Sequence, residues 1–174
     1  MKRLFLLRHA KTEPAGPEIE DHERKLLARG RSDAPAMGAY LSGKKYFPDL
    51  IVSSNARRAV ETVEFLIGSL PNKQPIEYTD RLYLVGTNEM LAVVRSAPAT
   101  VASLMIVGHN PGMEQLASAL SRQPVKRKER NRFDAIEEKF PTCALAVLDF
   151  EVPRWRDVAP GLGELIDFVR PRDL

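Results

Sequence analysis

The chain has 174 residues, of which 44% are hydrophobic and 28% charged, and its formal net charge is +3 at pH 7. This length predicts one domain over residues 1–174, and the composition excludes wholesale disorder. The small charge excess is weak evidence for a polyanionic partner, and the single cysteine, Cys143, excludes an intrachain disulfide and a cysteine-built metal site. The first apolar run, residues 4–7, is shorter than a signal-peptide core, and no stretch approaches the roughly 20 apolar residues that span a bilayer. We therefore expect a cytoplasmic protein with no membrane partner.

Apolar runs and helical spacing predict an alternation of strands and helices. In chain order the predicted elements are a strand at 4–7, a helix at 26–41, a strand at 49–54, a helix at 56–66, a short strand at 76–78, a helix at 88–94, a strand at 103–107, a helix at 113–120, and strands at 142–150 and 165–169. Pro35 indicates a kink in the first helix or a later start. The alternation predicts an α/β fold, a three-layer α/β/α sandwich whose central sheet is mostly parallel.

The segment 122–139 is basic and polar, which predicts a surface excursion from the core rather than a domain boundary. Its cationic part, residues 126–132, could recruit an acidic protein or nucleic acid, but a solvated basic loop is the favoured interpretation. Phe133 is the only aromatic residue beside it, so a stacking platform for nucleic acid is not expected. Cys143 is interpreted as a small buried hydrophobe within an apolar strand.

Charged and imidazole side chains follow three of the predicted strands. Arg8 and His9 come after the first strand, Arg57 after the second, and His109 after the strand at 103–107. Ligands of parallel α/β sheets bind beyond the carboxyl ends of the strands, so these side chains are expected to converge. Arginine forks match phosphate oxygens, and neutral imidazole is an adequate nucleophile near pH 7. The set therefore predicts phosphoryl transfer.

These residues lie in motifs that resemble those of the histidine phosphatase superfamily, whose fold is that of the phosphoglycerate mutases. The motifs are Leu7-Arg8-His9, Ser53-Ser54-x-x-Arg57-x-x-x-Glu61-Thr62 and Gly108-His109-Asn110. The short chain and the element Asp21-x-x-Arg24-x-Leu26 resemble the small bacterial branch, the SixA-type phosphohistidine phosphatases. The resemblance implies a metal-independent phosphatase that needs no cofactor.

The resemblance also implies roles for five residues. His9 is expected to be the nucleophile, phosphorylated in a covalent intermediate that water then hydrolyses. Arg8, Arg57 and His109 are expected to surround the phosphoryl group. In the small branch Arg24 matches an additional phosphate-binding arginine.

Three nearby side chains are expected to have no direct chemical role. Glu61 is expected to orient Arg57, Arg58 is expected to be exposed, and His22 is interpreted as a surface residue of a loop.

Two positions depart from the superfamily pattern. Ala10 stands where glycine often follows the first histidine, a change expected to do little harm. The segment 80–85 carries no glutamate where larger members have their general acid, so Asp21 is the favoured proton donor or substrate-orienting carboxylate. An imidazole leaving group needs a placed acid far less than an alkoxide does. The missing glutamate therefore favours phosphohistidine on a protein, such as a phosphorelay carrier domain, as substrate.

Two other functions remain open on the sequence. A small-molecule phosphomonoesterase of the same superfamily would be favoured if an acidic residue such as Glu89 reached the pocket. A non-catalytic module could bind phosphorylated partners through Arg8, Arg24, Arg57 and the basic segment. The presence of His9 argues against the module, since lysine or serine would serve anion binding equally well. No paired ligand spacing occurs, so no metal site is predicted.

Overall fold

The centre of the protein is one six-stranded sheet, seen in a computed structural model that describes residues 1–174. The strands are β1 (Lys2–Arg8), β2 (Leu50–Ser54), β3 (Ile76–Thr79), β4 (Ser103–Gly108), β5 (Leu145–Phe150) and β6 (Glu164–Val169). Their order is β3-β2-β4-β1-β5-β6, and only β5 runs against the other strands. The predicted mostly parallel sheet is therefore confirmed.

Five helices cover the two faces of this sheet. They are α1 (Ala28–Lys44), α2 (Arg57–Ile67), α3 (Thr87–Arg95), α4 (Gly112–Leu120) and α5 (Arg127–Glu138). Helices α1 and α2 pack together over one face, while α3, α4 and α5 cover the other. The three-layer α/β/α sandwich is thus confirmed. No helix is both long enough and apolar enough to cross a membrane.

Strand β1 shows why its sequence is continuously apolar. Leu4 and Leu6 belong to the hydrophobic core under α3 and α4, whereas Phe5 and Leu7 belong to the core under α1 and α2. Successive side chains of a strand point to opposite faces, so a strand covered on both faces needs apolar residues at every position.

Helix α1 begins at Ala28, two residues later than predicted, and Pro35 lies inside it without ending it. Its first turn packs closely on the segment that follows β1. A Cβ atom at Gly30 would lie 2.2 Å from the carbonyl oxygen of Lys11, a distance that requires glycine there. This contact between Gly30 and Lys11 packs the start of α1 against the residues just beyond His9.

The basic segment 122–139 differs from the prediction of a solvated loop. Residues Arg127–Glu138 form α5, which packs on β6 and α4. Ile136 is fully buried and Phe133, three residues earlier, packs against the same core. Residues three apart share one face of a helix, so Phe133 and Ile136 form its apolar side. The charged residues around them obscure this apolar pattern in the sequence.

Cys143 is buried as predicted, but it lies before β5 rather than within it. Its φ angle is 61°, in the left-handed region, and its backbone N–H donates to the carbonyl oxygens of both Arg8 and His9. Burial raises the pKa of its thiol to about 12, so the side chain stays protonated. This turn fixes the backbone at the end of β1.

Candidate active site

A cleft of about 390 Å³ opens at the carboxyl ends of the parallel strands. In the register of the parallel strands β1 and β4, Arg8 is opposite Gly108, so the next residues, His9 and His109, come side by side. Their ring centroids are 5.2 Å apart. Both histidines line the cleft together with Arg8, Arg24 and other residues from the loops. The structure therefore brings together the histidines that the sequence places after two separate strands.

His9 is held as a neutral imidazole with one nitrogen free. Its Nδ1–H donates to the carbonyl oxygen of Ala10 at 2.8 Å, while Nε2 makes no hydrogen bond within the protein. Burial lowers the pKa of His9 well below its usual 6.5, and the charges of Arg8 and Arg58 lower that pKa further. A neutral imidazole with Nε2 unprotonated is the form that can attack an electrophile.

His109 is oriented by a chain of hydrogen bonds from the end of β2. The backbone N–H of Ala56 donates to Ser54 Oγ at 3.2 Å, and Ser54 Oγ lies 2.8 Å from His109 Nε2. With the hydroxyl donating to Nε2, the proton of the neutral ring is on Nδ1. Burial, and then the charge of Arg58, lower the pKa of His109 to about 3, so the ring is neutral near pH 7.

Arg8 lies between the cleft and a neighbouring surface depression. Its Nη1 donates to the carbonyl oxygen of Phe140 at 3.0 Å, and its Nε is buried without a partner. Burial lowers the pKa of its guanidinium, and the negative charge of Glu114 opposes that shift. Arginine remains charged at neutral pH even so.

The second arginine of the site is Arg58, and the expectation for Arg57 is wrong. Arg57 is 44% exposed in its side chain and forms an ion pair with Glu61 at 3.0 Å. Arg58 is only 1% exposed, lines the cleft, and acts electrostatically on both histidines. The reason is the phase of α2, whose buried stripe includes Arg58, Thr62 and Leu66. The predicted pairing of Glu61 with Arg57 is confirmed, although it lies outside the cleft.

Asp21 joins the cleft from a 3₁₀ turn, Asp21–Glu23, but it does not have the chemistry of a general acid. Its carboxylate accepts hydrogen bonds from Arg58, Arg24 and Tyr83. Burial alone would raise the pKa of Asp21, but the Tyr83 hydroxyl and the two arginines outweigh it and hold that pKa at about 2. The predicted role as proton donor is therefore wrong near neutral pH. The alternative role fits, since the carboxylate orients two arginines.

Arg24 lies where the resemblance places it. Its Nη1 donates to the carbonyl oxygen of Glu13 at 3.0 Å, and its Nη2 lies 2.9 Å from Asp21 Oδ1. The loop after β1 thereby carries a third guanidinium to the cleft.

Tyr83 supports the site from behind the cleft lining, a role that the sequence did not indicate. Its ring packs edge-on against His109, with centroids 5.5 Å apart, and against His22 at 4.9 Å. His22 Nε2 lies 3.0 Å from Asn55 Oδ1, and His22 does not line the cleft. A separation of 62 residues between Asp21 and Tyr83 leaves no local spacing that could have predicted their contact.

Three buried donors in the cleft have no partner. Only four buried side-chain polar atoms in the protein lack a hydrogen bond, and three of them are Arg8 Nε, Arg58 Nε and His109 Nδ1. Native proteins rarely leave such groups unpaired, because each costs about 1–3 kcal/mol. All three atoms belong to residues that line the cleft, where an anion would meet Arg8, Arg58 and His109 together.

Besides Asp21, the cleft is lined by one further carboxylate, Glu13, which accepts a hydrogen bond from the backbone N–H of Lys25 at 3.0 Å. Glu89 is exposed on α3 and does not line the cleft, so the observation that would favour a small phosphomonoester is absent. No group of three or more His, Cys, Asp or Glu side chains is arranged to hold a metal ion.

Comparisons with known proteins concern the family and the fold. The family model of the histidine phosphatase superfamily (branch 1) matches residues 4–85. The structure of a candidate phosphohistidine phosphatase SixA from Agrobacterium tumefaciens is 33% identical, covers 98% of both chains and has a TM-score of 0.78. Its counterpart from Nakamurella multipartitia is 29% identical, covers 98% of this chain and 96% of its own, and has a TM-score of 0.84. An uncharacterized protein of Mycobacterium tuberculosis is 32% identical over 95% of this chain and 100% of its own.

Fold, cleft and relatives together define a phosphatase. The chain belongs to the histidine phosphatase superfamily, and within it to the SixA-type branch.

Proposed function

We propose that this phosphatase removes phosphate from phosphorylated histidine side chains of a protein, such as a phosphorelay carrier domain, with His9 as the nucleophile. The observation that carries the proposal is the arrangement around His9. A neutral imidazole with a free Nε2 lines the cleft together with Arg8 and Arg58, and the carboxylate of Asp21 in the same cleft is ionised, with its pKa held at about 2. Such a cleft favours an anionic group whose leaving atom needs no acid.

The first step transfers the phosphoryl group to the protein. The lone pair of His9 Nε2 forms a bond to phosphorus while the P–N bond of the substrate breaks. The substrate ring, protonated on its other nitrogen, takes the electron pair of that bond and leaves as neutral imidazole. Arg8, Arg58 and His109, which line the cleft, donate hydrogen bonds to the phosphoryl oxygens. Donors already in place cost no reorganisation as charge develops on these oxygens, which is the main source of rate in such transfers.

The second step regenerates the protein. Water attacks phosphorus, the bond to His9 Nε2 breaks, and inorganic phosphate leaves. The carbonyl oxygen of Ala10 keeps the proton on Nδ1 throughout, so the same nitrogen is the nucleophile in each cycle.

The ionised state of Asp21 supports phosphohistidine over alkyl phosphomonoesters. A departing alkoxide is strongly basic and gains about 10²–10⁴-fold in rate from a positioned acid. Imidazole, whose conjugate acid has a pKa of about 6.5, departs readily near pH 7 without a positioned acid once the other nitrogen of the substrate ring carries a proton. The same arrangement supports metal-independent action, because the guanidinium groups supply the positive charge.

The test compares phosphate release, without added metal, from a histidine-phosphorylated carrier domain and from an aryl phosphate. Wild type is expected to act much faster on the carrier domain, and His9→Ala is expected to lose both activities while it keeps its fold by circular dichroism. Rapid quench with a labelled substrate should trap a phosphoenzyme that is labile to acid and stable to alkali. His22→Ala, which removes an imidazole that does not line the cleft, is the matched control and should still form the phosphoenzyme.

Each alternative has a distinct result. Cleavage of the ester alone identifies a small-molecule phosphomonoesterase. Tight phosphate binding without turnover identifies a binding module. A phosphoenzyme formed equally well by His9→Ala removes His9 as the nucleophile.

A further inference from the structure

We propose that a second, mostly cationic depression beside the cleft docks an acidic segment of the phosphorylated protein. We call this depression the basic basin and define it by six cationic side chains: Arg8, Lys11, Arg29, Lys139, Arg170 and Arg172. Its volume is about 450 Å³. The inference rests on the proposed function, because it identifies the kind of protein that carries the phosphohistidine.

The basic basin is continuous with the catalytic cleft. Arg8, Lys11 and Thr142 line both, so a molecule bound in one touches the wall of the other. Arg8 therefore presents its charge to two sites at once. The phosphoryl group occupies the cleft in the proposed reaction, which leaves the basin to the part of the substrate next to it.

The cations of the basin come from four separate parts of the chain. The loop after β1 supplies Lys11, the start of α1 supplies Arg29, the turn after α5 supplies Lys139, and the end of the chain supplies Arg170 and Arg172. The fold thus collects positive charge at a single place, in a protein whose net charge is only +3.

Much of this charge has no internal partner. The basin is lined by one carboxylate, Glu138. Arg170 pairs with Asp173 at 3.0 Å and Arg29 with Asp33 at 3.6 Å, but Lys11, Lys139 and Arg172 have no carboxylate within 4.0 Å. Cations gathered without counter-charges repel one another, and an anionic partner relieves that repulsion.

The lining also defines the chemistry of the partner. No aromatic residue lines the basin, so it offers no aromatic ring on which a nucleobase could stack. At about 30 Å³ per liquid water molecule, its volume equals about fifteen waters, far more than one small anion needs. The ligand is therefore recognised by charge at several points.

Exposure of the cations favours a protein segment over a small polyanion. Lys11, Arg29, Lys139 and Arg172 are all exposed, and an exposed ion pair contributes little on its own. Useful affinity requires several pairs at the same time, which a segment with successive Asp and Glu residues provides. Such complementarity also steers the encounter of the two proteins.

The test uses three synthetic histidine-phosphorylated peptides of equal length, flanked by Glu, Gln or Lys. At low ionic strength the Glu-flanked peptide should exceed the Gln-flanked peptide in kcat/KM by about tenfold, and salt should remove the difference. The basin variant Arg29→Gln/Lys139→Gln/Arg172→Gln should lose this preference but retain wild-type hydrolysis of an aryl phosphate.

The control variant removes the same charge elsewhere. Lys126→Gln/Lys128→Gln/Arg130→Gln alters exposed residues at the other end of α5, on the order of 15–20 Å from Lys139 along the helix, and should keep the preference. An equal loss in both variants would show an effect of net charge alone and would overturn the inference.

Binding tests the basin without relying on turnover. Fluorescence anisotropy with the unphosphorylated Glu-flanked peptide should show weaker binding to the basin variant than to wild type. Equal binding of the peptide to wild type and to the basin variant overturns the inference. A difference between these two proteins in binding tripolyphosphate but not the peptide also overturns it. Failure of the proposed function has a different signature, in which no peptide is dephosphorylated although the acidic peptide binds in the basin.

Discussion

Two adjacent arginines at the start of α2 provide a matched pair of substitutions, Arg58→Gln and Arg57→Gln. Each change removes one positive charge and keeps an amide of similar length. Arg58 is buried in the cleft, where it donates to the carbonyl oxygen of Asp21 at 2.7 Å and to its carboxylate at 3.0 Å. Arg57 is exposed and contacts only Glu61. The pair therefore separates the charge at the cleft from the charge on the surface.

The expected magnitudes follow from these environments. Loss of one preorganised donor to a charge that develops in the transition state costs about 10²–10³ in kcat. Arg58→Gln should show a loss of this size, because its Nε is one of the three unpartnered donors. Arg57→Gln should stay within about twofold, because an exposed pair of helix residues four apart contributes only about 0.3–0.5 kcal/mol, and to folding rather than to catalysis.

The assay is steady-state hydrolysis of an aryl phosphate, with product inhibition by inorganic phosphate as the measure of anion affinity. Thermal unfolding of each variant separates lost catalysis from lost fold, and Arg58→Lys serves if Arg58→Gln unfolds. Lysine restores the positive charge but not the paired N–H donors of the guanidinium, so it should recover phosphate affinity more than kcat. Equal losses in the two glutamine variants, or a larger loss at Arg57, would refute the assignment of Arg58 to the site.

Three further predictions concern orientation, packing and pH. Ser54→Ala should lower kcat about tenfold, because the ring of His109 loses the hydrogen bond that orients it. Ser53→Ala should leave kcat unchanged, because the Ser53 hydroxyl donates only to a backbone carbonyl oxygen. Stopped-flow phosphate release measures both variants. Gly30→Ala should lower the free energy of unfolding by about 1–3 kcal/mol through its clash with backbone, while Gly43→Ala in the same helix, with open space around it, should leave it unchanged or raise it. Folding lowers the pKa of His109 to about 3 from an unfolded value near 6.5, so its contribution to stability is present above pH 6.5 and is lost as pH falls. Between pH 6.5 and 5 this loss should lower the free energy of unfolding by about 2 kcal/mol. Urea unfolding measures it, and the His109→Gln variant should not show this loss.

The sheet and the two histidines could be predicted for one reason, which is that the strands are buried on both faces. Strands covered on both faces are apolar at every position, so their ends are marked by the first polar residues. Parallel strands bring those ends to one edge, and His9 and His109 are the residues that follow β1 and β4. No long-range information was needed to place them together.

The choice between Arg57 and Arg58 needed the phase of a helix as well as motif spacing. Arg58, Thr62 and Leu66 are four residues apart and form one buried face of α2. Arg57 and Glu61 are also four apart, and they form an exposed ion pair. The sequence contains both patterns. The buried stripe, rather than the motif, indicates which arginine faces inward.

The contacts of Asp21 could not be predicted in this way. Its partners Arg24, Arg58 and Tyr83 come from a loop, a helix and a second loop, and no periodicity relates them. Only the folded loops show that its carboxylate is surrounded by donors and therefore ionised. Electrostatic roles of this kind depend on distances between segments, which spacing along the chain does not contain.

The charges of the cleft link the protonation of its histidines to the binding of phosphate. Arg8 and Arg58 lower the pKa values of both His9 and His109, which keeps these rings neutral before the substrate arrives. A phosphoryl dianion between the same arginines offsets their charge, so it must raise both pKa values. By reciprocity, protonation of either ring strengthens phosphate binding by the same factor. The arrangement that supplies a neutral nucleophile to the substrate therefore also retains the product more tightly as pH falls. Because the bound substrate raises the pKa of His9 in the same way, acid should slow both attack by His9, through protonation of Nε2, and release of phosphate.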